Sequence, residues 1–185
     1  FAPTVEIKDH QYHFDWSDGA VKFSGLTTQL PGEHNVENAV AAVAAVRFVG
    51  LNEAEIRKGL SSYVGVKRRF DYQVRNELHI YIDDYAHHPE ELRACIGSVR
   101  DLYPDRHITG IFQPHLFTRT RDFVDGFAKS LSMLDRLLLL DIYPARELPI
   151  PGVTSGIILD KVTCADKQLL CKEAVLRYLA DNRTD

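Results

Sequence analysis

Three short segments gather the residue types that hold and transform charged small molecules. They are Asp83-Asp84-Tyr85-Ala86-His87-His88-Pro89, Gln113-Pro114-His115-Leu116-Phe117-Thr118-Arg119 and Asp141-Ile142-Tyr143-Pro144-Ala145-Arg146-Glu147. Carboxylates accept hydrogen bonds from hydroxyl and ammonium groups. Imidazoles exchange protons near neutrality, and guanidinium forks match carboxylates and phosphates. Lys67-Arg68-Arg69 is the one dense basic run, suited either to phosphate contact or to a solvated connector. Each cluster taken alone also has a structural reading: Asp84 could cap a helix near Pro89, and His87 and His88 could be loop surface. Each cluster, however, follows an apolar stretch that reads as a strand. In open α/β sheets, ligands lie beyond the carboxyl ends of the strands, so three polar strand ends predict one binding edge.

Other chemistry is disfavoured. Gly59 to Lys67 looks superficially like a phosphate loop, but its spacing is wrong and no Ser or Thr follows the Lys. His87, His88, His115 and Asp84 lack the H-E-x-x-H or paired-Cys spacing of a metal centre, so no protein-only metal site is expected. There is no G-x-S-x-G elbow. Cys95, Cys164 and Cys171 lie in no evident reactive setting.

The elements that must position these residues change character along the chain. Thr4–Ile7, Tyr12–Trp16 and Ala20–Phe23 read as strands of a small antiparallel sheet, with a turn at Ser17-Asp18-Gly19. Pro31-Gly32 breaks the chain. From Asn35 the run Ala39–Val46 is apolar nearly all round, which predicts a buried helix. Asn52 with Glu55 forms a capping-box pattern for a second helix reaching about Ser62. From about residue 70 strands alternate with helices, the signature of a parallel α/β sheet. Strands are expected at Asp71–Val74, Leu78–Ile82, Ile108–Phe112, Leu137–Leu140 and Gln168–Cys171. Helices are expected from Pro89 to Leu102, Arg121 to Leu134, Ile157 to Val162 and Glu173 to Ala180. A domain boundary is placed in Val64–Arg69, dividing residues 1–66 from 67–185.

The 185 residues are 45% apolar and 26% charged, with 22 basic and 26 acidic side chains and a net charge of -4. This is an ordinary globular composition. A mildly acidic chain is a poor nonspecific nucleic-acid binder. No apolar run approaches the roughly 20 residues that span a bilayer. Three cysteines fit a reducing cytoplasm better than a disulfide framework. The chain begins at Phe1 and so reads as a fragment.

Four segments, in order, carry a resemblance: Gly32-Glu33-His34-Asn35-Val36-Glu37-Asn38-Ala39, Gly65-Val66-Lys67-Arg68-Arg69-Phe70, Asp83 to Pro89, and Phe112-Gln113-Pro114-His115. Together they resemble the Mur ligases, and among them the members that join L-alanine to UDP-N-acetylmuramate in peptidoglycan synthesis. The resemblance implies an ATP-dependent amide ligation with Mg²⁺, through an acyl phosphate that the alanine amine attacks. It makes residues 1–66 the end of a central ATP-binding domain and 67–185 an incomplete C-terminal Rossmann-like domain. The phosphate loop, metal-binding Glu and modified Lys of the family are absent, so the chain alone is expected to be inactive. Carried over by position, Asn35 and Asn38 would contact adenine, with helix capping the alternative for Asn35. Arg69 would reach the phosphates and Asp84 the ribose, and Tyr85 would pack on adenine. His87, His115 and Arg119 would face the amino acid and muramoyl end. The family commonly has Arg directly after Gln-Pro-His, where this chain has Leu116. Three readings stay open: Arg119 suffices, Arg121 substitutes, or carboxylate recognition differs. The alternatives are a recycling member that attaches a whole tripeptide, and a nucleotide-binding module without catalysis.

Overall fold

The computed structural model describes residues 4–182. The chain divides into two compact units, Phe1–Tyr85 with Ser98–Pro104, and Ala86–Gly97 with Asp105–Asp185.

The first unit opens with an antiparallel meander of β1 (Val5–Lys8), β2 (Gln11–Ser17) and β3 (Lys22–Thr28). Asp9 and His10, at φ 51° and 57°, make the two-residue turn between β1 and β2. Primed hairpin turns need positive φ at both central positions, because that twist matches the flanking strands. Burial alternates along β2, so that Tyr12, Phe14 and Trp16 all point into the core. The third strand reaches Thr28, five residues beyond the predicted Ala20–Phe23, and Leu26 is fully buried there.

Helix α1 (Glu33–Phe48) begins at Gly32, whose φ of 97° suits a residue without a Cβ. A Cβ there would also meet the Ser98 hydroxyl at 2.7 Å. The alanine run does form a helix, but it is not buried all round. Only Val36, Ala39 and Val43 are buried, whereas Ala41, Ala42, Ala44 and Ala45 are exposed. Helix α2 (Glu53–Ser62) carries the complete capping box: Asn52 accepts from the Glu55 N–H, and Glu55 accepts from the Asn52 N–H. It packs on β3, with Ile56 buried.

Strands β4 (Asp71–Arg75) and β5 (Ile80–Asp83) pair antiparallel in a ladder of their own. The first polar segment therefore does not follow a strand of the parallel sheet. Period and composition mark a strand but not its partner, and the short Asn76–His79 turn returns β5 directly onto β4. Helix α3 (Pro89–Leu102) begins at the expected proline and runs through the division, which falls between Gly97 and Ser98.

The second unit is built on a parallel sheet of β6 (Thr109–Phe112), β7 (Arg136–Leu140) and β8 (Asp166–Leu170), in sequence order. Central β7 is the expected doubly buried strand, with Leu137, Leu138 and Leu139 fully inaccessible. Leu137 and Leu139 join Phe112, Phe127, Leu131, Leu134, Ile158 and Val162 in one core. The predicted helix over 121–134 is two helices, α4 (Phe117–Asp122) and α5 (Val124–Leu131), broken at Phe123. Phe127, Leu131 and Leu134 face the core as expected, but Phe123 remains partly exposed against the His88 ring. Helix α6 (Gly156–Leu159), a 3-10 turn (Lys172–Ala174) and α7 (Val175–Asp181) complete the unit. The fold class is mixed α/β, with a Rossmann-like parallel sheet flanked by helices and preceded by a small antiparallel sheet and two helices. No helix among the described residues is long and apolar enough to cross a membrane.

Candidate functional site

The candidate residues fall into two clusters, one in each unit, and each is built by its own local contacts.

In the first unit the basic run folds back on the end of β5. The Arg68 carbonyl accepts from the Tyr85 N–H at 2.7 Å, and one Asp84 carboxylate oxygen accepts from the Phe70 N–H at 2.7 Å. The guanidinium carbons of Arg68 and Arg69 lie 4.7 and 5.9 Å from the Tyr85 ring centre, in cation–π range. Arg68 also approaches Asp83 at 3.7 Å. Arg68 and Phe70 hold φ of 61° and 48°, a left-handed conformation that costs a non-glycine residue about 1 kcal/mol or more. The Asp84 acceptor and the Tyr85 N–H are among the contacts that hold it. Asp84 thus ties down the basic turn, where the sequence also allowed a cap on α3. Tyr85 and Arg69 are exposed.

Asn35 and Asn38 lie in the first turns of α1. Asn38 is exposed. Asn35 is half-buried and donates its side-chain amide to the Pro31 carbonyl at 2.7 Å. The helix cap is Gly32, not Asn35.

In the second unit His87, His115 and Arg119 come together. His115 sits where β6 ends and bridges to Tyr143 beyond β7, in a parallel pairing that extends the β6–β7 ladder. The Tyr143 N–H donates to the Pro114 carbonyl, and the Leu116 N–H donates to the Tyr143 carbonyl. The two rings stack at 5.5 Å. The second and third polar segments therefore do share one sheet edge. Leu116 then opens α4 at φ 75° and ψ 134°, and Arg119 follows one turn later. One Arg119 guanidinium nitrogen, Nη1, is buried without a hydrogen-bond partner. His87 is held by Glu91, whose Oε2 accepts from the His87 and His88 N–H groups and lies 3.2 Å from His87 Nδ1.

The electrostatics follow from this crowding. Burial, then the Arg119 guanidinium and the His87 ring, push the His115 imidazole below its ordinary pKa, and Glu147 works in the opposite direction. Glu147 accepts from the Thr118 hydroxyl and N–H, and those bonds, with a smaller pull from Arg119, hold its carboxyl below the usual range. A buried guanidinium donor beside an imidazole suits a ligand carrying a carboxylate. Among the described residues no group of three His, Cys, Asp or Glu could hold a metal ion.

Residues 68–182 match the family described as "Mur ligase, glutamate ligase domain". The chain belongs to the Mur ligase family. It is 50% identical over 182 residues to a UDP-N-acetylmuramate–L-alanine ligase of Porphyromonas gingivalis, covering 98% of this chain and 40% of that protein. It is 48% identical to the enzyme of the same name from Parabacteroides distasonis, covering 97% of this chain and 39% of that protein. The crystal structure of UDP-N-acetylmuramate-alanine ligase from Thermotoga maritima superposes with a TM-score of 0.78 at 24% identity. It covers 96% of this chain and 38% of that one. The chain thus spans about 40% of the length of the curated relatives it matches.

Within this Mur ligase chain, Arg68, read from sequence only as part of the basic run, lies nearer the Tyr85 ring than Arg69 does. Two further contributors were not assigned individual roles from sequence. Tyr143 stacks on His115, and Glu147 binds Thr118. The last two stand in the polar segment after β7. The signal was present, but the pairing that gives it meaning is tertiary.

Proposed function

We propose that the chain forms part of an ATP-dependent ligase that joins L-alanine to UDP-N-acetylmuramate, a cytoplasmic step of cell-wall synthesis. The observation that carries this reading is the buried Arg119 nitrogen without a partner, beside His115 and His87. An amino-acid carboxylate supplies the acceptor that this donor lacks. Half-identity to alanine-adding enzymes across nearly the whole chain supports the choice of amino acid. Arg121 is exposed and paired with Asp122 at 2.7 Å, which favours Arg119 as the group that replaces the Arg missing at Leu116.

In this reading Arg119 holds the alanine carboxylate. His115, whose pKa is lowered by burial and then by the Arg119 guanidinium, takes a proton from the ammonium group so that the amine can attack an acyl phosphate. His87 lines the muramoyl end. On the nucleotide side, the exposed Arg69 and Tyr85 suit a phosphate chain and a purine face, and the Asp84 carboxylate, held beside them by the Phe70 N–H, is of the type that accepts from ribose hydroxyls. Asn35 and Asn38 read the adenine edge. Mg²⁺, bound with ATP, would supply charge neutralisation at the phosphates. A boundary near residue 66, as the sequence suggested, is supported by the family match beginning at residue 68.

The test is phosphate release by the complete ligase carrying this chain, given ATP, Mg²⁺ and UDP-N-acetylmuramate with either L-alanine or the stem tripeptide. Release with L-alanine alone is expected. Release with the tripeptide alone would transfer the chain to the recycling ligases.

A further inference from the structure

Helix α4 carries Arg119, yet its start lacks an ordinary support. The residue at its cap is Leu116, which has no side-chain acceptor and sits at positive φ. Short helices need their first N–H groups satisfied, and a Leu cannot do this. Glu147, 29 residues beyond Thr118, does it instead. Its Oε2 accepts from the Thr118 N–H at 2.9 Å, and its Oε1 accepts from the Thr118 hydroxyl at 2.5 Å. Thr118 directly precedes Arg119. The same loop is laced to the other end of the segment by the Tyr143–Pro114 and Leu116–Tyr143 backbone bonds.

We propose that Glu147 is a positioning residue for amino-acid recognition: its carboxylate caps the first turn of α4 through Thr118 and so aims Arg119. This rests on the ligase reading above. Glu147 touches no substrate in this role. It acts through Thr118 on the guanidinium, and through space on the imidazole, which is also faced by His87, Arg119 and the Tyr143 ring.

Two measurements test it. In the complete ligase, Glu147→Ala should raise the KM for L-alanine by about tenfold or more and leave the KM for ATP within about twofold, with Glu147→Asp recovering part of the loss. An unchanged KM for alanine, or an equal rise for both substrates, would overturn the proposal. If Glu147→Ala does not fold, Thr118→Val removes the hydroxyl donor alone and should shift the alanine KM in the same selective way. In the 185-residue chain itself, NMR titration of His115 should show a lower midpoint in Glu147→Gln than in the unchanged protein. An unmoved midpoint would sink the electrostatic half of the role. If the unchanged ligase shows no alanine-dependent phosphate release, the ligase reading has failed. Glu147 is then judged by the His115 titration and by loss of protection at the Thr118 amide.

Discussion

Leu116 holds φ 75° and ψ 134°, a region that L side chains rarely adopt, at the point where β6 hands over to α4. Its N–H is bound by the Tyr143 carbonyl, and its own carbonyl accepts from the Thr120 N–H and hydroxyl. Strain of this kind persists only where neighbours over-determine it. Leu116→Gly should therefore be more stable than Leu116→Ala by about 1 kcal/mol, since both lose the side chain but only glycine relieves the backbone. Urea unfolding of the two variants decides it, and the ordinary order, with alanine ahead, would show that the conformation is unstrained. His115 offers a second test. Its imidazole is held below the ordinary value near 6.5, first by burial and then by Arg119 and His87. With the folded pKa below the unfolded one, the unfolded chain binds the extra proton first. Stability from neutral His115 is thus present above about pH 6.5 and is lost as pH falls through the folded pKa. An NMR midpoint at or above 6.5 would contradict this.

At the scale of elements, α2 shows what local chemistry accomplishes unaided. Asn52 and Glu55 exchange side-chain and backbone hydrogen bonds at 3.1 and 2.9 Å, which satisfies two donors that the first turn would otherwise leave open. Asn52→Ala should cost about 1 kcal/mol in denaturant unfolding. A cost near zero would mean that packing of Ile56 alone fixes the helix start. Helix α4 is the opposite case. It has no cap of its own and depends on Glu147 from a distant loop. The break at Phe123 has a similar origin. Its ring turns toward His88 at 4.6 Å, and the hydrophobic period that predicts one helix does not register that contact.

For the whole molecule, the chain covers about 40% of the length of the alanine ligases it matches and contains no G-x-x-x-x-G-K-[ST] phosphate loop. The residues proposed for the amino acid lie in one unit and those proposed for the nucleotide, Asn35, Asn38, Arg69, Asp84 and Tyr85, in the other. Phosphoryl transfer depends on a phosphate cradle and its metal as well. The 185-residue chain by itself should release no phosphate from ATP when given UDP-N-acetylmuramate and L-alanine. Release by a preparation free of contaminating ligase would overturn that expectation.

Several structural features set by neighbours in sequence were legible there. The capping box at Asn52, the helix start at Pro89 and the four-leucine strand Leu137–Leu140 all rest on local hydrogen bonding or on burial pattern. The meeting of two polar segments beyond β6 and β7 was legible too, because parallel strands bring their carboxyl ends to one edge. Pairing was decided by tertiary structure. Antiparallel β4–β5, the exposed alanines of α1, the Tyr143 ring on His115 and the Glu147 hold on Thr118 each join or separate residues whose relation no period encodes. The reason is physical: a side chain's identity limits what it can bind, but which donor it meets depends on how distant segments satisfy their backbone groups and bury their apolar faces together.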